Sequence, residues 1–322
     1  MLFERSQYNN FHNSKVLVQI APGISRNVVL LTIDREHIFS FLHLIQDWTA
    51  GLQKQALERN SMRSLALIGS ILMITVQASA QSEVKIVKNG RIDHSIYDTL
   101  LKRYVDQEGF VAYRQLKAQD EARLQAYLDA LGDVDPDQLR DRAERLAYWI
   151  NAYNALTIKG ILYFYPTKSI RDHVSVIGYN IWKDYRMQVN GTAYSLDDIE
   201  HDILRKMGDP RIHFAIVCAS VSCPKLLNEP YTGDRLDDQL TRSARDFFSD
   251  PKKFRIDRSA GRVHQSPIMD WYKDDFGKNK MERLAFIKPF LNDADDRAFL
   301  DSSGLKVKNL DYDWHLNDQS RQ

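Results

Sequence analysis

Apolar residues recur at helical spacing from residue 94 to about 163 and fall into short runs after that. Ile96, Leu100, Leu101 and Tyr104 form one stripe, which predicts a helix over 94–107 that Gly109 stops. Leu124, Tyr127, Leu128 and Leu131 repeat the spacing and predict a helix over 119–131. Asp135-Pro136 opens a third helix, with Asp as N-cap and Pro at the first helical position. It runs through Leu139, Leu146, Trp149, Ile150, Tyr153 and Leu156 to about Tyr163, and Pro166 ends it.

The texture changes after Ser169. Trp182 to Val189 reads as a strand, Asn190-Gly191 as a type I′ turn, and Thr192–Tyr194 as the returning strand. Ser195-Leu196-Asp197-Asp198 predicts a capping box, with Asp replacing the usual Glu, at the start of a helix to about Lys206. The apolar run His213–Cys218 predicts a buried strand. Leu236–Phe248 reads as helix, and Phe254–Ile256 with Val263–Gln265 as a second hairpin. Ser266-Pro267 opens a short helix carrying Asp270, Trp271, Tyr272 and Phe276, read as core aromatics with solvated acids rather than a sugar platform. A helix over 281–291 and a strand over 305–308 complete the pattern. A helical first half, followed by short strands and hairpins among helices, predicts a single α+β domain.

The first 80 residues do not share this pattern. Met62-Arg63-Ser64 leads into the apolar run Leu65–Val76, and Ala78-Ser79-Ala80 follows. A basic start, an apolar stretch and an A-x-A site are the order of a secretory signal peptide. The apolar stretch is shorter than the ~20 residues a membrane-spanning helix needs. The expectation is therefore a signal peptide over 62–80, an upstream extension from a misplaced start over 1–61, and an exported domain over 82–322. In the extension, the runs Val16–Val18 and Val28–Leu31 are expected to have no partners. The protein is expected to be periplasmic or secreted, with no stable membrane span after cleavage.

Charge narrows the partners. Lys and Arg number 44 against 43 Asp and Glu, a net charge of +1, so no global field draws the chain to nucleic acid. No strand leads into a G-x-G-x-x-G or Walker-type loop, and no Gly-x-Ser-x-Gly or His-Glu-x-x-His occurs. No cofactor is expected, and the partner is an unidentified small molecule or protein.

Ordered motifs add a family likeness. Tyr148-Trp149-Ile150-Asn151-Ala152-Tyr153-Asn154-Ala155-Leu156-Thr157 comes first, followed by Tyr165-Pro166 with Ser169-Ile170 and by Ser195–His201. Arg211–Ala215, Ser222-Cys223-Pro224, Trp271-Tyr272 with Asp275-Phe276, and Tyr312-Asp313-Trp314 follow in the same order. Over roughly 95–317 the chain resembles the family catalogued as domain of unknown function 547. That family carries no agreed activity, so the resemblance implies kinship and no chemistry.

Candidate chemistry centres on Cys218 and Cys223, the only two cysteines in 322 residues, with four residues between them. Exported proteins meet an oxidising compartment, where such a pair forms a disulfide. That reading makes the domain a binding module with a pinned recognition loop. Cys218, Ser220, Ser222, Asn154 and Glu200 would then contribute to binding. A second reading makes Cys223 a nucleophile at the N-cap of a helical turn beginning at Pro224, where the helix end favours the thiolate. His213 or His201 would be its base, and Asn151 or Asn154 would orient the imidazole or donate to an oxyanion, giving a hydrolase or transferase. A third gathers His201, His213, Cys218 and Cys223 around zinc, although their spacing is not that of a finger or ribbon. Asn151 and Asn154, three apart on one helical face, either tie their helix to a loop or line a pocket beside the cysteines.

Overall fold

The structure is a computed structural model and describes residues 13–18, 29–34, 86–175 and 178–321. The chain divides into two units, residues 1–83 and 84–322. In the first, β1 (Asn13–Val18) and β2 (Val29–Asp34) pair antiparallel, with Val16 opposite Leu31 and Val18 opposite Val29. The two apolar runs expected to lack partners are therefore partners of each other. The expected signal peptide lies outside the described residues, as does the rest of the 1–61 segment.

The second unit begins with a two-residue hairpin, β3 (Val87–Lys88) and β4 (Arg91–Ile92). Helix α1 (Ser95–Tyr104) buries Tyr97, Leu100, Leu101 and Tyr104, and its Asp98 and Lys102/Arg103 complement the helix dipole at the two ends. The short α2 (Tyr113–Gln119), not expected from the sequence, buries Tyr113 and Leu116 and leads into α3 (Glu121–Gly132). Tyr97 and Tyr127 stack with ring centres 4.8 Å apart, joining α1 to α3.

Two aspartates compete to start the next helix. Asp135 caps only a single 3₁₀ turn, Pro136–Gln138. Asp141, whose carboxylate accepts the Glu144 N–H at 2.9 Å, caps the true helix, α4 (Arg142–Phe164). The helix therefore starts six residues later than Pro136. Its middle is buried on every side, including Asn151, Asn154 and Thr157. No described helix is long and apolar enough to cross a membrane.

Beyond α4, the sequence Asn180 to Val189 splits. The Asn180 side chain accepts the Trp182 N–H and starts the one-turn α5 (Ile181–Asp184), so the strand expected from Trp182 begins only at β5 (Arg186–Val189). β5 pairs with β6 (Thr192–Ser195). The turn between them has Asn190 at φ +46° and Gly191 at φ +78°, the left-handed pair a type I′ turn requires. The capping box is present: Ser195 Oγ accepts the Asp198 N–H at 3.1 Å, and Asp198 accepts the Ser195 N–H at 2.9 Å. It opens a π-helical segment, Asp198–Leu204, followed by a 3₁₀ turn, Arg205–Met207.

The strand expected over His213–Cys218 is absent. Pro210–Phe214 forms a 3₁₀ turn instead, capped by Asp209 with Pro210 at its first position. Asp-Pro sets helical φ at the entry and so overrides the apolar run that follows. Residues 215–217 then cross the core without regular structure, fully buried.

The remainder comprises α6 (Leu236–Ser249), β7 (Phe254–Asp257), β8 (Arg262–Gln265), α7 (Ile268–Trp271), α8 (Lys273–Phe276), α9 (Lys280–Ile287), α10 (Ala294–Phe299) and β9 (Lys306–Asn309). β8 is central, antiparallel to β7 and parallel to β9. One apolar core surrounds α4; a second, rich in phenylalanine, gathers Phe247, Phe248, Phe254, Phe276 and Phe290 around Phe214. The unit is α+β, as the sequence pattern predicts.

The α3 to β5 junction is tight. A Cβ on Gly132 would lie 2.6 Å from the Gln188 carbonyl oxygen, while the Gly132 carbonyl accepts the Asn190 N–H at 2.8 Å. Gly132→Ala is therefore expected to destabilise the domain by about 1–3 kcal/mol through overpacking against backbone. Urea unfolding of the variant beside the parent measures this, and an unchanged midpoint would contradict the packing described.

Candidate functional site

The site begins with how α4 treats its buried amides. Asn154 Nδ2 donates to the Ala215 carbonyl at 3.0 Å, and its Oδ1 accepts the Val217 N–H at 2.9 Å. The helix thus clamps the backbone that delivers the cysteine loop. Asn151 makes the matching clamp on a different segment, donating to the Tyr231 carbonyl at 2.7 Å and accepting the Tyr231 N–H at 3.0 Å. Both asparagines tie the helix to a loop, and only Asn154 does so at the cysteines.

Cys218 and Cys223 are joined, with Cα atoms 6.1 Å apart. Residues 224–227 form no helical turn, so Cys223 is not the helix N-cap that the sequence suggested. Between the cysteines, Ala219 takes φ +58°. The loop is fastened from outside by the C-terminal segment. Val221 N–H donates to His315 O at 2.8 Å, Ser222 N–H to Asp313 O at 3.2 Å, and Asn317 N–H to Ala219 O at 3.1 Å. Ser222 Oγ accepts the Asp313 N–H at 2.8 Å, so Ser222 holds the loop to that segment. Tyr312, on the same segment, puts its hydroxyl 3.3 Å from both sulfurs and 3.2 Å from Ser220 Oγ. Burial and the Glu200 charge raise the Tyr312 phenol above its ordinary value against the opposing Ser220 hydrogen bond, so it stays protonated.

Glu200, only 8% exposed on the π-helical segment, anchors the polar cluster behind the loop. The Tyr153 hydroxyl, from α4, donates to it at 3.0 Å, and the Tyr272 hydroxyl engages the same carboxylate. Burial first, then the Glu200 charge, raises both phenols, which remain hydrogen-bond donors. Tyr272 in turn stacks on His213 at 4.0 Å.

His213 is 3% exposed, and its Nε2–H donates to Asp275 Oδ2 at 2.7 Å. Burial lowers its pKa, partly offset by the Asp275 hydrogen bond, and keeps the ring neutral. Asp275 also receives both Arg205 Nε at 2.7 Å and Nη2 at 2.8 Å, a bidentate pair. Burial would raise the Asp275 carboxyl, but the Arg205 and His213 hydrogen bonds outweigh it and hold it below the usual carboxylate range. Arg205 Nη1 lies 3.2 Å from His201 Nδ1 and so links His201 to the network.

These contacts place Cys218, Ser220, Cys223, Asn154, Glu200 and His213 in one connected region, with His201 at its edge and Ser222 on its outer side. Asn151 faces elsewhere, against Tyr231 and His94. The His213 Nε2 is committed to Asp275, and the contacts of the sulfurs come from Ser220, Tyr312 and the Cys218 N–H. Among the described residues no group of three or more His, Cys, Asp or Glu side chains is placed to hold a metal ion. The aromatics expected in the core divide: Phe276 is buried, but Trp271 is 48% exposed, because α7 ends there with its ring directed outward over Trp314. Sequence reasoning missed Tyr153, Arg205, Tyr272, Asp275 and Tyr312 as parts of the site. Tyr153, Tyr272, Asp275 and Tyr312 stood in the ordered motifs, which was the available signal.

Residues 136–248 match the family described as Protein of unknown function, DUF547. This is the family that the sequence motifs resemble. The DUF547 match covers α4, the π-helical segment, the cysteine loop and α6, and stops before Tyr272, Asp275 and Tyr312. No curated protein and no solved structure matches the chain. A surface depression of about 430 Å³ beside α6, lined by Asp238, Arg242, Arg245 and Asn292 among others, holds none of the residues of the polar cluster.

Asn151 also explains a buried histidine. Its Nδ2 lies 3.2 Å from His94 Nε2, and His94 Nδ1 lies 2.7 Å from the Tyr127 hydroxyl. The amide is a donor there, so His94 Nε2 must accept and the ring must be neutral. Burial lowers its pKa to about 4 despite the nearby Asp93. A folded pKa below the ordinary 6.5 means that the unfolded chain takes up the proton first as pH falls. Stability should be complete above about pH 6.5 and fall by roughly 3 kcal/mol towards pH 4 on this account. Denaturant unfolding across that range tests it, with His94→Gln expected to flatten the slope; a parent slope matched by the variant would refute the assignment.

Proposed function

We propose that the domain is a binding module whose recognition surface is an aromatic shelf mounted on the disulfide-closed loop. The observation that carries this reading is the exposure of Trp271 beside Tyr312 and Trp314. Trp271 stacks on Trp314 at 5.6 Å and 22°, Tyr312 lies 4.8 Å from Trp271 and 4.5 Å from Trp314, and the Arg171 guanidinium lies over Trp314 at 5.1 Å. Single exposed apolar residues are ordinary, but a ring cluster held together with one tryptophan half in water is a surface suited to stacking. Exposed Asp270, Asp311 and Asp313 flank these aromatics in sequence and supply hydrogen-bond acceptors at the rim. The ligand favoured is one that offers a flat ring face with hydroxyl groups at its edge, such as a saccharide.

The disulfide supports a module over a thiolate hydrolase or a zinc site, because joined sulfurs supply neither nucleophile nor ligand. It also accords with export, in which residues 62–80 act as a cleaved leader, residues 1–61 are an upstream extension, and the domain works in the periplasm or outside the cell. N-terminal sequencing of protein from its native source tests that part: a mature start near residue 81 is expected, and a start upstream of Met62 rejects it.

Binding is tested by following tryptophan emission during titration with soluble oligosaccharides. Trp271→Ala is expected to weaken any observed affinity about fivefold, since the lost stacking on the ligand is worth about 1 kcal/mol. Equal affinity in parent and variant would refute the shelf as the binding surface.

A further inference from the structure

The disulfide is asymmetric in a way that a passive staple does not require. Cys223 is 2% exposed, whereas Cys218 is only partly buried. Cys223 Sγ alone accepts a backbone donor, the Cys218 N–H at 3.0 Å, while the Ser220 and Tyr312 hydroxyls stand 3.3 Å from both sulfurs and can turn to either. Neutral disulfide sulfur is a weak acceptor and gains little from such donors. A thiolate gains much more, because hydrogen bonds to a charged group are the strong ones. The surroundings of Cys223 therefore suit the sulfur after the bond has broken better than before.

The loop is built to hold those donors in place. Ala219 sits in the left-handed region at φ +58°, a conformation that a residue with a Cβ adopts only when its surroundings enforce it. Asn317 N–H on the Ala219 carbonyl, with Val221 and Ser222 N–H on the 313–315 backbone, supplies the enforcement. Tyr312 reaches the sulfurs from that same segment, so the donor and the loop are positioned together.

We propose that Cys218–Cys223 is a thiol–disulfide exchange centre, in which Cys218 is the sulfur attacked and Cys223 the sulfur that leaves. The co-reactant is a dithiol of a polypeptide. One thiolate of the partner attacks Cys218 Sγ; a new sulfur–sulfur bond forms to Cys218, and the Cys218–Cys223 bond breaks. Its electron pair stays on Cys223, as a thiolate received by the Cys218 N–H, Ser220 and Tyr312. The second thiol of the partner, deprotonated, then attacks the partner's own sulfur in the mixed disulfide and releases Cys218. The partner is oxidised by two electrons to its disulfide, Cys218 and Cys223 are reduced by two, and the two protons of the partner's thiols balance the new thiols. Four residues rather than two separate the cysteines, so the centre is not a Cys-x-x-Cys pair; the donors at Cys223 come from loop and C-terminal segment instead of a helix end. The inference stands on the sulfur contacts and does not depend on what binds the aromatic shelf.

The test uses the oxidised domain with reduced glutathione as the probe, quenched with an alkylating agent at intervals and mapped by mass spectrometry. Glutathione is expected on Cys218, with Cys223 alkylated, and to arrive faster than in exchange with oxidised glutathione as a reference disulfide. Adducts on Cys223, adducts divided equally between the two, or a rate no greater than the reference would overturn the proposal. Tyr312→Phe is expected to slow adduct formation about tenfold, through loss of one donor to the leaving thiolate. It should also raise the pH midpoint for alkylation of Cys223 in the reduced protein. An unmoved midpoint in a variant with parental melting behaviour would show that Tyr312 only packs, and would overturn the donor assignment. The adduct position in the parent decides the direction of exchange independently of whether that variant folds.

Discussion

A helix buried on all sides can carry polar side chains only if each finds a partner, and α4 meets that constraint with backbone. Asn154 takes a carbonyl and an N–H from the crossing segment at Ala215 and Val217, and Asn151 takes the same pair of groups from Tyr231. Each amide thereby satisfies main-chain groups that the absence of a strand would otherwise leave unpaired in the core. The unusual course of residues 215–217, irregular yet fully buried, is possible because the helix provides the hydrogen bonds a neighbouring strand would have provided. Everything at the sulfur loop follows from where that segment is held.

A second level of organisation is electrostatic. Glu200 and Asp275 are two carboxylates in one half-buried region, and they are kept apart by what each is given. Asp275 receives a guanidinium fork and an imidazole N–H. Glu200 receives phenol hydroxyls. His213 joins the two halves, through a hydrogen bond on one side and ring stacking against Tyr272 on the other. A neutral histidine in this position transmits orientation rather than charge.

Local signals were legible and long-range ones were not. The stripes of α1, α3 and α4, the Asn190-Gly191 turn and the Ser195/Asp198 capping box all act within a few residues, and the structure contains them. The His213–Cys218 run misled because its apolarity spoke for a strand while Asp209-Pro210, just before it, spoke for a helical turn. At the site, the cysteine pair could be read because its two members are five positions apart. Arg205, Asp275, Tyr272 and Tyr312 could not be assigned in the same way. His213 meets Asp275 across 62 positions and Cys223 meets Tyr312 across 89, distances over which spacing carries no information.

The C-terminal segment ties together parts of the domain that lie far apart in sequence. Asn317 accepts the Tyr113 hydroxyl and donates to the Gly109 carbonyl, contacts that span 204 and 208 positions, while its backbone holds Ala219. The early helices have local contacts enough to form without it. The sulfur loop does not: its outer hydrogen bonds and Tyr312 belong to a part of the chain some ninety residues downstream. Contacts of this sequence separation carry a loop-closure cost that the local helix contacts do not. Residues 312–317 hold the sulfur loop from outside while Asn154 holds its entry from within, so a change in either distant segment is felt at the same two sulfurs.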